Sequence, residues 1–215
     1  MGKGEYYTLN DKHEVTDSTW YGTGEFVKTY VNLEPRASAV YKINDESSVK
    51  ASYARTTQNM HLVPFMTQGT PYDRWIASSN IVKPQNSDQY TLWYFRNFHD
   101  NEYKLSIEGY YKDMRNQIDF KDNADFITAN TVETELRFGK GRAYGIELMF
   151  KKRVGRLSGW IGYTLSKSEK RIDGINENRW YNAYQDRTHD VSVVAMYELS
   201  KRRSISDAWV YYTGT

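Results

Sequence analysis

Cysteine is absent from this chain of 215 residues. That excludes a disulfide framework, thiolate metal sites and cysteine-based redox or nucleophilic chemistry. Long hydrophobic runs are absent as well. No stretch of eighteen apolar residues occurs, so no transmembrane helix can be built from the sequence. The opening residues, MGKGEYYTLNDKHEV, hold no apolar h-region. This predicts no signal peptide and leaves either a cytosolic protein or an internal piece of a longer exported one. Neither sign of charge dominates: 29 Lys and Arg stand against 27 Asp and Glu, and the net +2 supplies no broad field for nucleic acid. Apolar residues recurring at a helical period are missing too.

Aromatic residues, by contrast, are abundant: they make up 15% of the chain, led by 19 Tyr and 6 Trp. Tyr and Trp suit a boundary with one wet and one greasy side. A tyrosine-rich soluble β protein has the same composition. The mean hydropathy of −0.79 reads as soluble, but a barrel strand averages an apolar outside against a polar inside. The clearest alternation covers residues 103–113. Tyr103, Leu105, Ile107, Gly109 and Tyr111 share one face of a strand, and Lys104, Ser106, Glu108, Tyr110 and Lys112 share the other. A sheet resting on a soluble core fits this pattern, and so does a barrel wall between lipid and water.

The spacing between strands separates the two cases. Residues 1–31 are polar, without a persistent period, and read as a loop or extracellular segment with a short strand near 24–31. Residues 32–215 read as one all-β domain of about eight strands. The first hairpin pairs 37–43 with 49–54 across Asn44-Asp45-Glu46-Ser47, which is turn chemistry. The second pairs 88–97 with 102–120 across Phe98-His99-Asp100-Asn101. The third pairs 142–153 with 157–168 across Val154-Gly155-Arg156, and the fourth pairs 187–199 with 204–212 across Ser200-Lys201-Arg202-Arg203. Between hairpins lie long polar segments, 58–87, 121–140 and 169–186. Compact domains usually connect their elements through about 4–6 residues. Short turns alternating with long loops are the habit of outer-membrane barrels. The predicted fold is an antiparallel up-and-down meander, part of a transmembrane β-barrel. All four short turns are expected at its periplasmic end.

Few clusters invite chemistry. His189 and Asp190 beside Asp186 and Arg187 read as a polar strand entrance. A catalytic triad would need a nucleophile on a strained turn, and no G-x-S-x-G elbow is present. His13, His61, His99 and His189 are scattered, so no metal site is expected. The glycines Gly139, Gly141 and Gly145 precede a strand, whereas a phosphate loop opens a helix. Lys151-Lys152-Arg153 with Arg156, and Lys201-Arg202-Arg203, are small basic clusters at turns. No catalytic residue and no cofactor follow from any of these, and the chain does not read as an enzyme. Arg179, Trp180, Tyr181 and Tyr184 form an aromatic loop that could grip a sugar, a haem-like ring or a siderophore. The alternative is aromatic packing within the loop or at the headgroup level.

Several words in the sequence carry a resemblance. Leu33-Glu34-Pro35-Arg36-Ala37-Ser38-Ala39-Val40-Tyr41, then Ser48-Val49-Lys50-Ala51-Ser52-Tyr53-Ala54-Arg55, are similar to the barrel region of TonB-dependent outer-membrane receptors, particularly those of Bacteroidetes type. Val82-Lys83-Pro84-Gln85-Asn86-Ser87-Asp88-Gln89-Tyr90 opens a strand in the same manner. Gly141-Arg142-Ala143-Tyr144-Gly145-Ile146-Glu147-Leu148 resembles the family's G-x-A-x-G-hydrophobic-E strand, and Asp186-Arg187-Thr188-His189-Asp190-Val191 resembles its D-R-x-H-D strand entrance. The match runs over about residues 33–212. It implies a fragment of the C-terminal barrel region of a transporter that takes up a scarce nutrient: a siderophore, a vitamin or a glycan. The implied partners are outer-membrane lipid, the remaining strands, a plug domain and a TonB-type energy-transducing protein. No plug, TonB box or terminal aromatic strand is recognisable in the sequence, so independent transport by this chain is not expected.

Two rival readings stand beside this one: a soluble or surface-attached all-β module that binds glycans, and a structural outer-membrane barrel without transport. The apolar face decides against or for the soluble module. If Tyr103, Leu105, Ile107, Leu157, Ile161 and Val193 form one continuous band, the membrane reading holds. If they face a second sheet, the sandwich holds.

Overall fold

The computed structural model describes residues 4–10, 15–63, 74–121 and 132–213. The strands are β1 Gly4–Leu9, β2 Val15–Tyr21, β3 Arg36–Lys42, β4 Ser47–Gln58, β5 Met60–Val63, β6 Arg74–Ala77, β7 Gln85–Phe98, β8 Tyr103–Phe120, β9 Leu136–Lys152, β10 Leu157–Ile172, β11 Tyr181–Asn182, β12 His189–Ser200 and β13 Arg203–Tyr212. Eight of them pair in the order β3-β4-β7-β8-β9-β10-β12-β13, with the two-residue β11 attached to β10. Every pairing in this sheet is antiparallel, and the order follows the chain without a crossover. The expected eight-strand meander is therefore formed. Its only helical elements among the described residues are two short 3-10 turns, Val132–Glu135 and Asn176–Asn178.

Antiparallel alternation places the four short turns at one end of the sheet and the longer connections at the other. Neighbouring turns bond side by side: Asn97 N–H donates to the Glu46 carbonyl, Arg153 N–H to Glu102, and Glu198 N–H to Arg156. In the β7–β8 turn His99, Asp100 and Asn101 all take left-handed backbone conformations. Asp and Asn tolerate that region better than most residues.

The strands run further toward the long connections than alternation predicts. β9 begins six residues before the expected 142, and β10 runs to Ile172 rather than 168. Residues 58–87 contain the small hairpin β5–β6. The short strand expected near 24–31 is not formed, and β1 and β2 make a separate two-stranded hairpin upstream of it. This N-terminal segment is tied to the chain just before β7: Asn80 donates to the Tyr7 carbonyl at 2.7 Å and Tyr30 Oη to the Ser79 carbonyl at 2.6 Å.

The location of the buried apolar side chains is decisive. Among the described residues they are Val82, Ile118, Leu136, Ile172 and Ala183. Val82, Ile118 and Leu136 form one cluster, with Ile76, Phe120 and Phe138 packed against it, at the long-connection end. The middle of the sheet has no such core on either face. Among the described residues no second sheet lies over its apolar side: Ile146, Leu148, Phe150, Ile161, Leu165 and Trp209 stay 39–53% exposed. A soluble sheet would bury this surface, because about 25 cal/mol is gained for each Å² removed from water.

Candidate functional site: a two-faced wall with a charged collar

Register turns the alternation of single strands into rows across the sheet. Leu105, Phe150, Ile161, Val193 and Trp209 are successive partners in one row. Tyr94, Ile107, Leu148, Tyr163, Val191 and Tyr211 make the next. Leu92, Gly109, Ile146 and Leu165 make the third. Of the residues expected to form one band, Leu105, Ile107, Ile161 and Val193 fall in these rows, while Tyr103 and Leu157 stand on the same face at its short-turn border, where Lys152 and Gly159 interrupt the apolar run. From Tyr103 to Tyr111 the belt runs about 27 Å along β8 at ~3.4 Å per residue, or roughly 20 Å of height at the ~40° tilt of barrel strands, which is most of the apolar band about 25 Å tall that outer-membrane barrels present.

Aromatic rings border the belt at both ends. Toward the long connections stand Tyr53, Tyr90, Tyr111 and Tyr144, with centroids of 53 and 90 at 5.2 Å and of 111 and 144 at 6.4 Å. Toward the short turns Tyr103 stacks on Phe150 at 5.7 Å, and Lys152 Nζ lies 4.6 Å from the Tyr103 ring centroid. Lys152 also pairs with Glu102 in the β7–β8 turn. Arg156 sits over Tyr197 at 5.6 Å. Amphipathic rings backed by cations suit a lipid–water interface. The spanning part of β7 is thus residues 90–98, and that of β8 is residues 103–111.

The opposite face is polar. Its middle row reads Lys50, Trp93, Glu108, Glu147, Thr164 and Asp190. Ser48, Phe95, Ser106, Met149, Gly162 and Ser192 form the row beside it. The aromatic residues here carry cations, with Lys50 at 4.7 Å over Trp93 and Lys104 at 5.3 Å over Phe95. Gly145 lies between Tyr110 and Ser166, and a Cβ there would meet the Leu165 carbonyl oxygen at 2.7 Å. Such a face suits water, or a polar body seated in a lumen.

Beyond the tyrosine row the belt face becomes a charged collar. Arg55, Asp88, Asp113, Arg142 and Glu169 are row partners, and Arg115, Lys140 and Arg171 form the next row. Asp88 is 4% exposed and sits at the centre of the first group. Arg55 grips both its oxygens at 2.7 and 2.9 Å, Tyr53 Oη donates at 2.7 Å and Arg115 at 3.1 Å. The Arg55 and Tyr53 hydrogen bonds hold its carboxyl at about 2. Arg142 pairs with Glu169 at 2.8 Å.

The residues expected to contact ligand share one loop but do not converge. Trp180 is packed under two guanidinium groups, Arg142 at 4.2 Å and Arg171 at 5.6 Å. Tyr181 Oη donates to Asp119 at 3.0 Å, beside Lys170 at 3.4 Å. Arg179 pairs with Glu177 at 3.0 Å, with both side chains more than three-quarters exposed. Tyr184 is 57% exposed. His189 Nδ1 meets Tyr163 Oη at 2.9 Å, and Asp186 accepts the Ser168 N–H at 2.6 Å, so both have structural partners at the strand entrance. Among the described residues no three His, Asp or Glu side chains gather as metal ligands. Sequence reasoning missed the collar, because its partners come together across strands some thirty residues apart and leave no local motif.

Three comparisons bear on this architecture. The model of the TonB dependent receptor-like, beta-barrel family matches residues 5–213. No curated protein matches the chain. Among solved structures, the ferric-catecholate import receptor Fiu of Escherichia coli K12 superposes with a TM-score of 0.54 at 17% identity, covering 80% of this chain and 23% of that one. The pyoverdine outer-membrane receptor FpvA of Pseudomonas aeruginosa gives the same TM-score at 14% identity, with coverage of 83% and 28%. The chain thus spans about a quarter of the length of these receptors. The open eight-strand meander, its belt and its short-turn end fit a stretch of such a wall, and the protein belongs to the TonB-dependent receptor β-barrel family of the Gram-negative outer membrane.

Proposed function

We propose that this chain forms one third or so of the barrel of a receptor that actively imports a scarce nutrient, with a chelated metal such as a ferric siderophore as the first candidate. About eight strands of a roughly 22-stranded barrel would give that share. The observation that carries the reading is the two-faced wall: an unpartnered apolar belt on one side, and a row of Lys50, Glu108, Glu147 and Asp190 on the other. Fiu is an import receptor for ferric catecholate and FpvA binds pyoverdine, which puts siderophores ahead of vitamins and glycans. The edges β3 and β13 would pair with the remaining strands, because lipid does not tolerate unpaired backbone groups. A plug would occupy the polar face, and a TonB-type protein would deliver the energy. The N-terminal segment 1–31 would sit among the extracellular loops.

Arg179 and Tyr184 are the exposed members of the ligand-contact set, with Trp180 and Tyr181 fixing the loop that presents them. The test uses the full-length receptor in an iron-starved strain lacking it. Ferric siderophores, vitamin B12 and oligosaccharides are supplied singly, and growth and uptake are followed. Uptake of one class, lost without the energy-transducing protein, supports the proposal. Arg179→Ala with Tyr184→Ala should then weaken uptake about tenfold. Correct insertion with no uptake of any class would favour a structural barrel.

A further inference from the structure

The four short turns differ in charge. Residues 43–46 and 99–102 carry Asp45, Glu46, Asp100 and Glu102 and no Lys or Arg. Residues 153–156 and 198–203 carry Arg153, Arg156, Lys201, Arg202 and Arg203 against the single carboxylate Glu198. The two basic turns are built as one unit. The Arg156 guanidinium donates to the Glu198 carbonyl at 3.3 Å and to the Leu199 carbonyl at 3.1 Å, and Glu198 N–H donates to the Arg156 carbonyl at 2.8 Å. The other four cations are exposed, and among the described residues none of them has an ion-pair partner.

The belt face begins directly inward from these cations. Leu157, Tyr197 and Ile205 are row partners there, 40–60% exposed. Asp207 stands one row further in, on edge strand β13. Five cations against Glu198 and Asp207 leave an excess of positive charge. A patch meeting the cell wall or an acidic protein in the periplasm would need no apolar base. Cations standing on a lipid-facing apolar row lie at headgroup level, where anionic headgroups attract them. Guanidinium groups match phosphate oxygens in bidentate fashion. Short turns belong to the periplasmic end, so the leaflet is the inner one. We infer that the paired turns 153–156 and 198–203 form a binding site for an inner-leaflet phospholipid of net negative charge, its phosphodiester held by the free cations and its acyl chains against Leu157, Tyr197 and Ile205. The inference rests on the apolar face being the lipid-facing one and is independent of the imported nutrient.

The test is native mass spectrometry of the full-length receptor, purified in mild detergent and titrated separately with phosphatidylglycerol and with zwitterionic phosphatidylethanolamine. Wild type should retain phosphatidylglycerol about tenfold better. The triple variant Lys201→Gln, Arg202→Gln, Arg203→Gln should lose most of that preference and leave phosphatidylethanolamine unchanged, since charge-assisted hydrogen bonds are lost. Its side chains are exposed, so folding is retained, and unchanged heat-modified gel mobility checks this. Asp45→Asn with Glu46→Gln removes charge from an acidic turn and should change nothing. A gain there as large as the loss in the triple variant means bulk charge alone and overturns the site. Inorganic phosphate in excess should not displace the lipid, because the chains carry part of the affinity; displacement makes this a free-anion site. Equal retention of the two lipids by wild type also overturns it, as does binding of soluble muropeptides that the triple variant loses in their place. Should the preference be absent while Ile107→Arg still blocks insertion, the turn site is wrong and the lipid-facing assignment stands.

Discussion

Ile107 and Ser106 are neighbours on one strand, yet they belong to opposite worlds. Ile107 lies between Tyr94 and Leu148 on the belt; Ser106 lies between Phe95 and Met149 beside a row of Lys50, Glu108 and Glu147. In a soluble sheet one of these faces would be covered by a second layer. Among the described residues neither is, and the apolar face is left half-exposed across β9, β10 and β13. The difference teaches that the missing layer is lipid. The sheet's stability is therefore inseparable from its solvent, and each face should respond to charge in its own way.

The largest effect should come from charging the belt. In the full-length receptor Ile107→Arg or Ile161→Arg should cost about 2–4 kcal/mol or block insertion, as for a cation near the midplane of a barrel's lipid face. Ser106→Arg and Ser158→Arg should be much milder. Surface yield and heat-modified gel mobility of the four variants give the answer, and equal damage on both faces would return the protein to the sandwich class.

The collar sharpens the comparison along the strand instead of across it. Asp88→Asn leaves Arg55 and Arg115 without their shared carboxylate and should lower stability by about 1–2 kcal/mol, well under a belt cation. The pH dependence has a definite sign. The folded carboxyl sits at about 2, below its unfolded range. The stabilisation is therefore full above the ordinary carboxylate range and is lost as pH falls toward 2. Wild type should show this acid-dependent loss in denaturant titrations, and Asp88→Asn should lack it.

The smallest effect concerns the β5–β6 hairpin. His61 is 1% exposed, with Nε2 against Ser78 Oγ at 3.2 Å, and burial pushes its imidazole below the ordinary range. Below the unfolded histidine value the unfolded state takes up the proton first, so the hairpin should weaken as pH falls from 7 to 5. Hydrogen exchange over residues 60–62 measures this, and protection unchanged between those pH values would contradict it.

What the sequence revealed followed the belt. Strands crossing lipid must alternate, so β3, β4, β7, β8, β9, β10, β12 and β13 and their four turns were legible. Alternation stops being enforced beyond the tyrosine row, where Arg142, Lys140 and Glu169 face water. The outer ends of β9 and β10 were therefore invisible, although pairing extends them by a full six and four residues. β1–β2 was missed for the same reason, since Thr16, Asp17, Ser18 and Thr19 have no apolar face to reveal a strand. The aromatic loop was legible as composition only. That Trp180 would turn under Arg142 and Arg171 while Tyr181 turned to Asp119 depends on β11 pairing with β10.

The most direct test labels the full-length receptor in lipid bilayers with a nitroxide at positions 105 to 111, one residue at a time. Collision with oxygen and with a water-soluble nickel complex is then compared by electron paramagnetic resonance. The two-faced wall predicts a period of two, with oxygen favoured at 105, 107, 109 and 111 and the nickel complex favoured at 106, 108 and 110. Uniform accessibility, or the opposite phase, would contradict it.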